Sequence, residues 1–380
     1  MRTVYLDYNA TTPLDAQVRE AMLPFLGDFF GNPSSIHHVG RKARSFLDDC
    51  RDRVSRVWKC KPSEVVFTSG GTESNNLAIC GSVRFLKAKG RHLITSAVEH
   101  HAVLHTFEYL VNKEGFELTT LPVDVEGVVD PQDLEDAIQS DTILVSVMAA
   151  NNETGAIQPV SELGAICQER GVLFHTDAVQ WFGKEPFDGI DQFNADLVSL
   201  CGHKFHGPKG VGALFIKSPL LPDPIFFGGG HENERRAGTE NMAGIAGLVD
   251  AIERFVVKPV FVQPELRPLS ERLAVLAELD GINLAGPLAK RLANTISFTV
   301  SGTDSMTLLA ALDMEGICVS SGSACSAGSL NPSHVISAMG RNDDEANSLV
   351  RFSLGRESSV EEIDFVLDQF PKVLNRIRSY

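Results

Sequence analysis

Between residues 65 and 216 the chain repeats one pattern: a short apolar run rich in β-branched residues, followed by a loop or a helix-like stretch. The runs are Val65-Val66-Phe67-Thr68, His92-Leu93-Ile94-Thr95, Leu118-Thr119-Thr120-Leu121, Ile143-Leu144-Val145-Ser146-Val147, Val172-Leu173-Phe174-His175, Leu197-Val198-Ser199-Leu200 and Ala213-Leu214-Phe215-Ile216. Runs this short and this apolar read as strands, so seven are predicted. Residues 160–170 are amphipathic at helical spacing and stop at Gly171, where a glycine is the expected helix end. Strands alternating with helices predict an α/β fold, a seven-stranded, mostly parallel, doubly wound sheet with helices on both faces. Beyond Pro259 the pattern changes to a helix over 266–279, a strand over 293–300 and an amphipathic closing helix over 361–377. The expectation is a large domain over 16–258 and a smaller α+β domain assembled from 1–15 and 259–380.

Composition narrows the function classes. With 43% hydrophobic and 22% charged residues in 380, the chain should bury its cores without staples. A formal net charge of −15 argues against broad nucleic-acid binding, which needs clustered Lys and Arg, although Arg235-Arg236 leaves room for a local basic patch. No stretch approaches the roughly 20 apolar residues of a membrane span, and residues 1–7 hold no long apolar run, so a soluble cytoplasmic protein is expected. The seven cysteines, Cys50, Cys60, Cys80, Cys167, Cys201, Cys318 and Cys325, are scattered and form no C-x-x-C pair. That spacing predicts neither a disulfide framework nor a zinc site, and most of them read as buried thiols. The pairs His37-His38 and His100-His101 lack a third ligand at workable spacing, so no metal site is expected.

Ligands of doubly wound sheets bind beyond the carboxyl ends of the strands, which directs attention to the polar residues there. Ser69-Gly70-Gly71-Thr72-Glu73-Ser74-Asn75 joins a strand to a helix-like run. Its glycines would let backbone N–H groups approach a phosphate, or it is an ordinary glycine turn capped by Thr72. Asp177, after the run ending at Phe174, could stabilise a protonated pyridine nitrogen, with Gln180 near the ring's phenolic oxygen, or it could be a turn residue. His203-Lys204 follows the next strand, where a lysine amine could hold an aldehyde cofactor covalently. Residues 320–329 are small except for Cys325, which predicts a loop that packs little apolar surface and carries one thiol. Arg351 alternates with apolar neighbours in Val350-Arg351-Phe352, and its guanidinium could bind a carboxylate bidentately.

Assembled in this order, these residues resemble the NifS/IscS cysteine desulfurases, a branch of the class V aminotransferases with the fold-type-I pyridoxal-phosphate architecture. The resemblance runs from Tyr5-Leu6-Asp7-Tyr8-Asn9-Ala10-Thr11-Thr12 to the last helix. It takes in Gly31-Asn32-Pro33-Ser34-Ser35, Thr72-Glu73-Ser74-Asn75-Asn76, Asn151-Asn152-Glu153-Thr154-Gly155, Gly202-His203-Lys204, Arg236-Ala237-Gly238-Thr239 and Ser321-Gly322-Ser323-Ala324-Cys325. It implies that Lys204 holds pyridoxal 5'-phosphate, that His100 stacks on the ring and moves protons, and that Asp177 pairs the ring nitrogen. Asn152 and Gln180 would contact the ring oxygen and neighbouring groups, with Gly71, Thr72, Cys201 and His203 in the phosphate and cofactor shell. Cys201 stands where many relatives have serine. Thr239 would reach the phosphate of the other subunit of a homodimer, and Arg351 with Asn152 would bind the substrate. The implied reaction takes sulfur from L-cysteine, releases L-alanine and leaves a persulfide on Cys325 for an acceptor such as an iron–sulfur scaffold protein. A selenocysteine lyase or another fold-type-I enzyme is the alternative, and Cys325 in its small-residue loop argues against both. An inactive sulfur-transfer scaffold is opposed by Lys204, Asp177 and Cys325 together.

Overall fold

The computed structural model describes residues 3–322 and 332–379, and Cys325 lies outside them. Among the described residues the strands are, in chain order, β1 (Val4–Tyr5), β2 (Val65–Thr68), β3 (His92–Ser96), β4 (Glu117–Leu121), β5 (Thr142–Ser146), β6 (Leu173–Asp177), β7 (Leu197–Cys201), β8 (Gly212–Ile216), β9 (Ile282–Leu284), β10 (Thr295–Val300), β11 (Ile317–Cys318) and β12 (Leu349–Ser353). The large sheet has the order β2-β8-β7-β6-β5-β3-β4. All its pairings are parallel except those of β8, which runs antiparallel to β2 and β7. Each of the seven anticipated strands is present, and the helix Val160–Arg170 ends at Gly171 in a left-handed turn at φ 69°.

Alternate side chains of these strands enter two different cores. Val65, Phe67, Ile94, Val145 and Phe215 join one, and Val66, Leu93, Leu144 and Leu214 join the other. Burial on both faces is why the runs are almost continuously apolar in the sequence. The edge strand β4 keeps most of its residues partly or fully exposed, which explains its two threonines.

A three-stranded antiparallel sheet, β12-β10-β9, and the parallel pair β1-β11 stand apart from the large sheet. The N-terminal strand thus pairs with a strand more than 300 residues later, Val4 opposite Ile317. Asp7 bridges to Ser353 of β12 just beyond, which carries the segment after β1 toward the carboxyl ends of the large sheet.

Arg51, on the long helix His38–Trp58, forms a buried two-point ion pair with Glu232, each N–O distance being 2.8 Å. Arg235 is also buried and donates to the Ser63 carbonyl at 2.8 Å, while Arg236 pairs with Glu73 at 2.7 Å. The room left for a local basic patch at Arg235-Arg236 is not used: one guanidinium is inside the protein and the other is neutralised by a carboxylate from the glycine turn. Of the described cysteines, Cys50, Cys80, Cys167 and Cys201 are buried as expected, while Cys60 and Cys318 are only half-buried. The two-residue strand β11 is too short to cover Cys318. No described helix is long and apolar enough to cross a membrane.

Candidate active site

A cavity of about 200 Å³ opens at the carboxyl ends of β2, β6 and β7. Its wall contains Gly71, Thr72, His100, Asn152, Asp177, Gln180, Cys201, His203, Lys204 and Arg351, ten of the twelve residues that the sequence nominated. Thr239 is exposed and lies outside this wall. Cys325 lies outside the described residues.

The glycine turn follows β2, and the helix Gly71–Asn76 starts within it. Gly70 sits at φ 151°, a conformation that glycine adopts at no cost. A Cβ on Gly71 would lie 2.8 Å from Val179 Cγ2, so any side chain here would force Val179 to move. No side chain caps the helix, so Thr72 does not serve as the cap, and it lines the cavity instead.

Asp177 closes β6. Its Oδ1 accepts from the Val179 N–H at 2.9 Å, and its Oδ2 accepts from Asn75 Nδ2 at 2.6 Å. Both donors are neutral, so a buried carboxylate faces the cavity with its charge uncompensated by them. A protonated ring nitrogen fits such a site. Asn75, one helical turn beyond Gly71, also lines the cavity and was missed by sequence reasoning; its place in the Thr72-Glu73-Ser74-Asn75 run was the available signal.

His100 caps the helix His101–Glu114, its Nδ1 accepting from the Ala102 N–H at 3.0 Å. Burial holds the imidazole below its ordinary 6.5, Lys204 reinforcing this and Asp177 opposing it. A neutral ring whose Nδ1 accepts must carry its proton on Nε2, so in this state His100 presents a donor. His203 is pushed down to about 4, chiefly by burial, and Cys201 is pushed up to about 11 for the same reason. Both are neutral at pH 7.

Lys204 follows β7 in the turn Gly202–Lys204, and Nζ donates to the carbonyls of Asn9 at 2.7 Å and Ala10 at 2.9 Å. Arg351 of β12 reaches the same cavity. It is ion-paired with Asp7 at 2.7 Å, donates to the Asn152 carbonyl at 2.8 Å and also donates to the carbonyl of Gly322. The N-terminal segment from Asp7 to Ala10 therefore lines or braces the site, which the sequence gave no local means of seeing. Gly322 is the last described residue before the segment that contains Cys325, and that segment resumes close by, where Ser333 Oγ donates to Glu153 Oε2 at 2.6 Å.

Glu99, next to His100, is fully buried and pushed up from 4.5 to about 8, mainly by burial. A carboxyl whose folded value is raised lends stability below about pH 4.5 and loses it as pH rises through 8. His175, pushed down by burial to about 3, has the opposite sign: its contribution is present above 6.5 and is lost as pH falls. Glu99→Gln is expected to flatten the alkaline side of the stability profile, leaving the acid side intact. Thermal midpoints between pH 5 and 8.5 measure this. A slope unchanged by the substitution would show that Glu99 is ionised in the folded protein.

Among the described residues no group of three or more His, Cys, Asp and Glu is arranged to hold a metal ion. The model of the family "Aminotransferase class-V" matches residues 4–366. The chain is 48% identical over 381 aligned positions to the cysteine desulfurase IscS of Dictyoglomus turgidum, covering 100% of this chain and 96% of the relative. A solved NifS-like protein superposes with a TM-score of 0.91 at 36% identity, over 99% of this chain and 100% of that one. The structure of SspA in complex with cysteine gives 0.82 at 36% identity, over 94% and 100%.

Proposed function

Because the chain belongs to the class-V aminotransferases, in their cysteine desulfurase branch, we propose that it binds pyridoxal 5'-phosphate in this cavity and takes sulfur from L-cysteine onto Cys325. The observation that carries the reading is the convergence of Lys204, Asp177, His100 and Arg351 on one cavity beside the flanks of the Cys325 segment.

When bound, the cofactor supplies an electron sink that makes the substrate's α-proton removable and its Cβ–S bond labile. Lys204 would hold it covalently. Asp177 would pair with the ring nitrogen, and Gly71, Thr72, Cys201 and His203 would surround the phosphate, joined by Thr239 of the partner subunit in a homodimer. Arg351 would take the substrate carboxylate, sharing with it the guanidinium edge now bonded to Asp7. The Lys204 amine would move the α-proton, and His100 would offer its Nε2 proton within the same cavity. The Cys325 thiolate attacks the substrate sulfur: an S–S bond forms, the Cβ–S bond breaks with its electron pair left on carbon, and a proton completes alanine. Cys325 ends as a persulfide, which an acceptor such as an iron–sulfur scaffold protein would consume. The two proposed domains, 16–258 and 1–15 with 259–380, would meet at this cavity, a division supported by the pairing of β1 with β11.

The test is incubation of the purified yellow protein with L-cysteine. One alanine should appear per sulfur added, and peptide mapping should place that sulfur on Cys325. Alanine formed from selenocysteine but not from cysteine would favour the lyase, and absence of both cofactor and alanine would favour an inactive scaffold.

A further inference from the structure

Lys184 lies four residues beyond Gln180 and is 1% exposed. Its Nζ donates to Asn9 Oδ1 at 2.7 Å and to Gln180 Oε1, and sits 5.4 Å from the centre of the Phe261 ring. A buried amine is costly, and this one is surrounded by amide oxygens and an aromatic face. Lys204 and Arg351 are the cationic groups that act on it, and Glu185 and Cys201 are the acidic ones.

The hydrogen bonds around it leave one orientation for each amide. Asn9 Nδ2 donates to Thr295 Oγ1 at 2.8 Å and to the Asn152 carbonyl at 3.2 Å, so Asn9 Oδ1 must face Lys184. Gln180 Nε2 donates to the Asn9 carbonyl at 3.0 Å, so Gln180 Oε1 must face Lys184 as well. A carbonyl accepts only and a lysine amine serves here as donor; reversing the Gln180 amide would set oxygen against oxygen on one side and nitrogen against nitrogen on the other. The same Asn9 carbonyl also accepts from Lys204 Nζ at 2.7 Å. Gln180 lines the cavity, and with one N–H spent on Asn9 its second N–H remains for a ligand there.

We propose that Lys184 is a positioning residue: by holding the Gln180 oxygen from behind the cavity wall, it makes Gln180 present an N–H, and not an oxygen, to the cofactor's phenolic oxygen. This rests on the reading of the cavity as the pyridoxal-phosphate site. Without Lys184 the donor behind the Gln180 oxygen is lost, and only the Asn9 carbonyl still holds the amide against turning. That loss leaves the phenolic oxygen less stabilised, so the proton shared between that oxygen and the Lys204 nitrogen is held more tightly.

The experiment is a pH titration of the visible absorption band in the holoenzyme. In Lys184→Met the midpoint at which this band gives way to near-ultraviolet absorption should rise by about one pH unit. Gln180→Leu should raise it similarly, and the double variant should rise no further than Gln180→Leu alone. Lys184→Gln, which keeps a donor, should fall between wild type and Lys184→Met, and it serves if the methionine variant does not fold. A wild-type midpoint in the Lys184 variants alongside a shifted Gln180→Leu would overturn the proposal, as would full additivity in the double variant. An unshifted Gln180→Leu would instead remove Gln180 from the cofactor and with it the reading of this wall.

Discussion

Lys204→Ala is expected to give a folded protein that no longer retains pyridoxal phosphate covalently and turns over cysteine at least about 10²–10⁴-fold more slowly. The fold should survive because Lys204 is only half-buried and its described hydrogen bonds run to two backbone carbonyls, those of Asn9 and Ala10. Each such bond contributes about 1 kcal/mol net, against a typical stability of about 5–15 kcal/mol. Catalysis would have no such reserve, since in the proposed mechanism the amine both anchors the cofactor and moves the α-proton. Borohydride reduction of the wild-type protein should fix the cofactor to the peptide containing Lys204. Lys209 is the natural competitor, being five residues away and exposed. A reduced adduct on Lys209, or undiminished turnover by Lys204→Ala, would end the assignment.

How far the sequence could be read depended on the distance over which each contact acts. The seven strands of the large sheet are local features, each a short apolar run with its own burial, and so each was legible. Asp177 and Lys204 were legible for a related reason: each stands at a strand end, and a parallel sheet delivers its strand ends to one edge. What was lost lies in long-range partners. Asn75 reaches Asp177 across 102 residues and Lys204 reaches the Asn9 carbonyl across 195, and no spacing rule reports such pairs. Lys184 reads in the sequence as an ordinary solvated lysine within Gly183-Lys184-Glu185, and only the packing shows it buried against Gln180 and Asn9. Arg235-Arg236 failed in the opposite direction. Two adjacent guanidiniums look like a basic surface until Ser63 and Glu73 arrive from the other side of the turn to receive them.

Cys325→Ala separates a desulfurase from any other chemistry this cavity could support. The variant should keep its cofactor and still bind cysteine, because Lys204, Asp177, the glycine turn and Arg351 are untouched. Turnover should nevertheless fall by about 10²–10⁴-fold, since the cofactor weakens the Cβ–S bond but offers the sulfur no nucleophile to leave with. The other thiols near the site do not replace it. Cys201 lines the cavity, but its thiol is pushed up to about 11 by burial, so almost none of it is thiolate at pH 7. Cys318 is half-buried on β11 and also raised, by burial and then by Asp313 and Asp7. Cys318→Ala is therefore the control for a merely available thiol and should retain most activity per folded molecule. Cys201→Ala probes the wall of the cavity instead, and should alter cofactor retention before it alters sulfur transfer. The measurement is alanine formed from cysteine in a single turnover, with mass mapping of the added sulfur. Near-normal alanine release by Cys325→Ala, or sulfur found only on the Cys201 or Cys318 peptide, would sink the transfer step, because the S–S bond that balances the loss of sulfur from the substrate would then be forming elsewhere.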